Sequence, residues 1–455
     1  MAGIGFELKK IFEKDTYIDT FRGVFYSTSI AGGPIFFSIL SLVLLGIFST
    51  SFLARKDLEI FLVTLVYIFA FSLISTGVGQ LLITRYLSDL IYEKKLDQIL
   101  PTFTTVLATT IVLQTIIGLP FFLTWEFDFL YKLTALMLFI AVGCTWQLMI
   151  FLSAVKNYRI VLWAFLAGLM LGFGLAMVLG ARFGLPGFLH GFAIGQIVLL
   201  FVLLSRVFIE FRRSEKPSFG IGDYIKKMPQ LIFIGFCYNA GIWVDKIIFW
   251  FSPHGKQVES FLYAQPEYDT ATFFAFITVI PSYTYFLVKA ETDFYAHFRT
   301  FFDSILQKDT LRLIHAHKIS MAQSVKESLI GLLKLQGTVT LLCLFFSDEI
   351  AALFHLPPLT AIILEKAFLA VCLQMLLLTV MIFMMYFDIR RQLVVVAGLF
   401  LCANIVLTLV TLNMKYVYFG YGYVFACLLA LLVGYFLLNS HFRKLEYRTF
   451  VSQPL

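Results

Sequence analysis

Asp245 and Lys246 stand inside Leu231–Phe251, LIFIGFCYNAGIWVDKIIFWF, a stretch otherwise apolar and long enough to cross a bilayer as a helix. Each charge costs about 2.5–3.5 kcal/mol at membrane depth on insertion scales. Successive residues point about 100° apart on a helix, so the two are not expected to neutralise each other face to face. Tyr238, Gly241, Ile242, Asp245 and Phe249 share one stripe, and Asn239, Trp243, Lys246 and Trp250 share the next. Two chemistries fit: a buried structural ion pair that fixes helix packing, or the polar wall of a transport path. Glu267 and Asp269 open the following apolar segment, and Glu365 and Lys366 lie about one turn into a later one. By depth these six charges are expected at one level, on three helices, which isolated packing contacts do not explain. Single polar residues in other spans (Gln80, Gln114, Gln147, Gln196, Gln374, Asn404) are expected as interhelical glue, each contributing roughly 1 kcal/mol.

Other chemistries find no footing. The chain has no G-x-x-x-x-G-K-[ST] phosphate loop, so no ATP hydrolysis is expected. No Asp-x-Asp or paired catalytic carboxylates sit in a soluble loop, which argues against a glycosyltransferase and against an enzyme generally. The seven histidines are scattered, with His190 expected as a hydrogen-bonded packing residue and His315 and His317 as solvated. The six cysteines fall in apolar segments without a Cys-x-x-Cys pair, so neither a disulfide framework nor a zinc site is indicated, and no cofactor is expected.

The elements that must hold these charges are membrane helices. Of 455 residues, 60% are hydrophobic and only 14% charged, against about a quarter charged in soluble proteins. Mean hydropathy is +0.88. Apolar spans fall near 24–53, 59–84, 102–124, 131–154, 159–181 and 186–206, then near 230–252, 268–289, 327–347, 361–386, 393–413 and 418–439. The expected fold is an all-α integral membrane protein of about twelve transmembrane helices in two six-helix lobes. Residues 1–22 read as an amphipathic N-terminal segment, 23–207 as one lobe, 208–229 as a charged linker, 230–440 as the second lobe and 441–455 as a tail. Most of the 35 Lys and Arg lie in the termini and in the loops after even-numbered spans. Both termini are therefore expected in the cytoplasm. The net charge of +7 reflects this bias and not nucleic acid.

Breaks in the spans mark where helices must bend. Gly32, Gly33 and Pro34 interrupt the first span, and Pro281 interrupts the eighth. Phe294, Phe298, Phe301, Phe302 and Ile305 recur at helical spacing in the 290–326 connection, followed by Lys308, Arg312 and Lys318. This predicts an amphipathic cytoplasmic helix that meets the membrane interface or a partner subunit.

The opening MAGIGFELKKIF, the run WVDKIIFW, and PEYDTATFFAFITVIPS followed by Glu291–Tyr295 resemble PelG-type transporters of Pel exopolysaccharide export. That family is similar to the multidrug/oligosaccharidyl-lipid/polysaccharide (MOP) flippases. The resemblance implies twelve helices in two lobes around a central cavity, a bacterial inner-membrane location and alternating access. It also implies a hexosamine-rich polysaccharide substrate, a cytoplasmic glycosyltransferase and small inner-membrane scaffold subunits as partners. By the same resemblance Ser27, Ser29, Gln80, Asp245, Lys246 and Asp269 would line the path. Tyr238 and Asn239, on the stripes of Asp245 and Lys246, and Glu267, Glu365 and Lys366, expected at the same depth, join them. Two further readings stay open: an ion-coupled antiporter of small cations, and a non-transporting scaffold that activates a glycosyltransferase.

Overall fold

The computed structural model describes residues 54–152, 158–211, 220–287 and 291–451. The amphipathic segment 1–22, the span near 24–53 with its Gly-Gly-Pro break, Ser27 and Ser29 lie outside the described residues. Nine helices among those described are long and apolar enough to cross a membrane.

The first compact unit ends at Gln265. It contains α1 (Arg55–Tyr92), α2 (Ile99–Leu123), α3 (Phe129–Leu152), α4 (Tyr158–Glu210), the short α5 (Gly220–Lys227) and α6 (Pro229–Trp250), followed by strands β1 (Lys256–Glu259) and β2 (Leu262–Ala264). Helix α4 carries the two spans expected at 159–181 and 186–206, which fold back at Gly184, where φ is +61°. Its two halves can meet because glycines recur every four residues. A Cβ on Gly191 would come within 2.2 Å of the Ala176 nitrogen, and one on Gly195 within 2.3 Å of Gly172 Cα. Within the charged linker, α5 docks on the end of α1, with the Tyr224 hydroxyl bonded to Asp89 and its ring 5.1 Å from that of Tyr86. The core of this unit joins Phe61, Leu65 and Tyr67 of α1 to Trp125, Phe139, Phe188 and Trp250, and takes in Val258 and Leu262 of the hairpin.

The second unit begins at Pro266. It contains α7 (Pro266–Ile277), α8 (Ile280–Tyr285), α9 (Glu291–Leu306), α10 (Leu311–Phe345), α11 (Ser347–Leu353), α12 (Pro358–Tyr386), α13 (Arg390–Leu412), α14 (Tyr421–Arg443) and α15 (Leu445–Val451). The break between α7 and α8 falls at Thr278 and Val279, just before Pro281, which has no N–H to donate and whose ring crowds the preceding turn. Helix α12 is the hub, buried along most of its length from Thr360 to Met384. Helix α10 starts sixteen residues before the span expected at 327–347, so one continuous helix of about 50 Å joins the charged connection to the membrane segment.

Part of the apolar side of α9 is used inside the protein, while Phe298, Phe302 and Ile305 are half-buried. Phe294 and Phe301 are fully buried. The Phe294 ring lies 4.8 Å from Phe383 and 5.1 Å from Tyr386, and Phe298 lies 5.7 Å from Phe387. These aromatics cap the end of α12, which the helical spacing of the phenylalanines alone did not reveal. Beside them α15 clasps α10: Glu446 accepts from His315 Nδ1 at 2.6 Å and pairs with Lys318 Nζ at 3.2 Å.

Candidate functional site

The buried charge on α6 is placed by a close helix crossing. Gly235 of α6 lies against Gly77 of α1, where a Cβ on Gly235 would come within 2.2 Å of the Gly77 carbonyl oxygen. Asn239, one turn on, fills the space left by Gly77 and donates from Nδ2 to its own helix at Gly235 O, 2.8 Å away. Further along, Tyr67 of α1 stacks on Trp250 at 4.7 Å and 15°. The Tyr67 hydroxyl also donates to the Tyr263 carbonyl at 2.9 Å and accepts from the Tyr263 N–H at 3.1 Å. Helix α6 is thus pinned to α1 near its middle and at its end.

Between these pins, Asp245 is fully buried and Lys246 is 4% exposed. The lysine curls back on its four-carbon stem until Nζ stands 3.3 Å from both Asp245 carboxylate oxygens and 3.0 Å from the Ile242 carbonyl. This overturns the expectation that neighbours in sequence would not neutralise each other: the backbone directions diverge, but the lysine stem spans the gap. The ammonium also lies 5.8 Å from the centre of the Trp243 ring, close enough for cation–π attraction. Tyr238 and Gln80 are half-buried in the same unit.

The second unit repeats the arrangement. Lys366 Nζ pairs with the preceding residue, Glu365, at 2.7 Å and stands 5.9 Å from the Tyr421 ring. Gly420, with φ +93°, sits over the lysine stem, and a Cβ there would meet Lys366 Cβ at 2.9 Å. The two pairs differ in access. The Glu365 side chain is 43% exposed, whereas that of Asp245 is sealed. Glu267 and Asp269 are half-buried in the first turn of α7, where the helix dipole favours negative charge. Of the six charges, the structure brings together Asp245 with Lys246 and Glu365 with Lys366, each within its own unit.

Of the six single polar residues, Gln114, Gln147 and Gln374 bond across helices as expected, and Asn404 accepts from Thr408 of its own helix at 2.9 Å. Gln114 Nε2 donates to Ser75 Oγ at 2.9 Å, Gln147 Nε2 to the Thr76 carbonyl at 2.8 Å, and Trp146 Nε1 to Ser72 Oγ at 3.2 Å, tying α1, α2 and α3 together. Tyr423 donates to Gln374 at 2.8 Å. His190 is bonded to the Pro186 carbonyl and, at 3.3 Å, to Thr134, a packing role at the turn of α4. Among the described residues no group of three His, Cys, Asp or Glu side chains is placed to hold a metal ion. Nothing in the spacing of 254–264 marked the hairpin in advance, because strands of four and three residues leave no periodicity to read.

The PelG family, described as an exopolysaccharide exporter (EPS-E), matches residues 1–450. Solved structures share the fold at low identity. A MOP superfamily transporter from Pyrococcus furiosus, whose binding pocket is described as reversed in polarity, aligns with TM-score 0.64 and 11% identity, covering 92% of this chain and 96% of that one. A mutant of the Vibrio cholerae MATE transporter VcmN aligns with TM-score 0.65 and 14% identity, covering 91% and 98%. A multidrug resistance MATE family transporter in an outward-facing conformation gives TM-score 0.62 at 11% identity, covering 92% and 96%. No curated protein matches the sequence. The fold is therefore the all-α, twelve-helix fold of MATE-like membrane transporters.

Proposed function

The chain belongs to the PelG exopolysaccharide exporter family, and from that membership we propose that it moves a nascent, hexosamine-rich, Pel-like polysaccharide from the cytoplasm to the periplasm. The observation that carries this reading is a family match running over nearly the whole chain, on a transporter fold. The protein works in the bacterial inner membrane with both termini cytoplasmic, as the distribution of Lys and Arg supports. A cytoplasmic glycosyltransferase feeds it, and small inner-membrane scaffold subunits hold the two together. The exposed polar side of α9, with His297, Arg299 and Thr300, is proposed as the face for such a partner, since Phe294 and Phe301 on its apolar side are buried within the protein.

Among the path residues, Ser27, Ser29, Gln80, Tyr238, Asn239, Glu267, Asp269, Glu365 and Lys366 are proposed to face the moving polymer. Asp245 and Lys246 brace the wall instead. They hold each other at 3.3 Å away from water, and breaking a buried pair costs far more than the pair itself contributes. Export is tested in inside-out vesicles carrying the protein and its glycosyltransferase, fed with radiolabelled sugar nucleotide. Labelled polymer protected inside the vesicles supports the reading. Polymer made but confined to the outer medium, with vesicles intact, overturns it.

A further inference from the structure

The β1–β2 hairpin has more built structure than a connection between two membrane segments needs. Its register pairs Lys256 with Ala264 and Gln257 with Tyr263, then shifts at Val258 so that Glu259 faces Leu262. Ser260, at the tip, holds a φ of +49°, a left-handed conformation disfavoured for a residue with a Cβ. Two reciprocal ion pairs strap the hairpin to the first turns of α1: Lys56 to Glu259 at 2.6 Å, and Lys256 to Glu59 at 2.8 Å. The Ser260 hydroxyl accepts from the Glu126 backbone N–H at 3.0 Å, fastening the tip to the α2–α3 turn. With the Tyr67–Tyr263 bonds, the hairpin is held from three sides.

What this scaffold frames is an open cleft of about 440 Å³, within the usual size range for small-molecule sites. Lys56, Glu126, Gln257, Glu259, Phe261 and Tyr263 line it. The composition narrows the ligand. An acyl chain would strand these polar groups without partners. An anionic headgroup would meet two carboxylates and one ammonium, and that ammonium is already paired with Glu259. A hydroxyl-rich ligand fits both demands, because its hydroxyls can donate to the carboxylate oxygens of Glu126 and Glu259 and to the amide oxygen of Gln257, whose own Nε2 donates to the Ser260 carbonyl at 2.6 Å. Phe261, 54% exposed at the rim, presents a ring face against which the C–H side of a sugar can lie. The Glu126 carboxylate, exposed and without an ion pair among the described residues, can also take an ammonium.

We propose that the cleft between the β1–β2 hairpin and the N-terminal end of α1 is a saccharide subsite that holds sugar units of the polymer as they leave the transporter. The assignment rests on the exporter reading for its ligand, and on the cleft itself for its place and chemistry. Glu126 makes it prefer amino sugars with a free ammonium over their N-acetylated forms.

The test uses the full chain in lipid nanodiscs, with tetramers of glucosamine and of N-acetylglucosamine as probes and binding read by saturation-transfer NMR. Phe261→Leu should weaken both tetramers about tenfold, while Phe261→Tyr, which keeps the ring, should bind like the parent. Glu126→Gln should weaken only the glucosamine tetramer. Thermal unfolding is recorded for each variant, since Phe261 at a membrane surface would otherwise pass for an anchor. Lowered stability in Phe261→Leu with unchanged affinity overturns the proposal, as does equal binding by all variants. Polymer movement in vesicles is measured in parallel. Normal movement without site-dependent binding removes the cleft and leaves the exporter reading. Site-dependent binding without movement removes the exporter reading and leaves the cleft as a saccharide site.

Discussion

Lys246 folds back along α6 so that its ammonium is 3.3 Å from each carboxylate oxygen of the residue before it, Asp245, and the pair is closed off from water. Removing one partner leaves the other buried without its nearest counter-charge, and breaking a buried pair in this way costs about 3–5 kcal/mol. Asp245→Asn and Lys246→Gln should each reduce membrane abundance and unfolding temperature. The double change removes both charges and should recover much of the loss, because two neutral amides can still hydrogen-bond across the same gap. Abundance and thermal unfolding of the three variants decide it. Singles that fold normally but export poorly would return the pair to the transport path.

How much of this was legible beforehand depended on the kind of signal. Pro281 acts through a local backbone rule and lies at a helix break in the structure, and the gap between the spans expected at 159–181 and 186–206 holds the fold-back at Gly184. The spans were legible because twenty-residue apolar runs have no soluble alternative. The Asp245–Lys246 contact was not, since a helical wheel records where a side chain leaves the backbone and not where a long one ends. Phe294 and Phe298 show the same limit: helical spacing marked an apolar face, but only tertiary packing decided that Phe383, Tyr386 and Phe387 would cover it. Asp245 and Glu365 look alike in sequence, each followed by Lys, and only packing makes one sealed and the other open.

The α1–α6 crossing should be more sensitive at Gly235 than at Gly77. A methyl on Gly77 collides with the Asn239 side chain, which can change rotamer, whereas a methyl on Gly235 collides with the Gly77 backbone, which cannot. Overpacking of this kind costs about 1–3 kcal/mol. Gly235→Ala should therefore lower the unfolding temperature clearly, and Gly77→Ala by less. Equal effects would show that Asn239 is as fixed as the backbone.

The clasp between α15 and α10 should depend on pH in one direction. Burial raises the Glu446 pKa, but hydrogen bonds from His315 and Lys318 and their charges lower it further, so the carboxyl lies below its usual range. A carboxyl depressed in the folded state adds stability above its unfolded value, and that stability is lost as pH falls through the folded value. Hydrogen exchange at 445–451 should stay slow from pH 7 down to about pH 5 and quicken only below the ordinary carboxylate range. Glu446→Gln should exchange quickly throughout. Protection that stays unchanged well below the ordinary carboxylate range would show that the Glu446 carboxylate does not hold the clasp.

Glu365 offers the cleanest separation of function from stability. Its pair with Lys366 has the same sequence pattern as Asp245–Lys246, yet the Glu365 side chain is 43% exposed. An ion pair with one partner in water contributes about 0–1 kcal/mol, since solvent already screens the charge. Lys366 keeps other support when the carboxylate is removed, because its ammonium lies 5.9 Å from the Tyr421 ring and its stem packs under Gly420. Glu365→Gln should accordingly leave abundance and unfolding temperature near those of the parent. If the open carboxylate faces the moving polymer, export should still fall severalfold, and Glu365→Asp, which keeps the charge on a shorter arm, should restore part of it. Abundance, unfolding and vesicle export are measured side by side for the two variants. Unchanged export in Glu365→Gln would take this residue out of the path, and a collapse in abundance would place it with Asp245 as part of the frame.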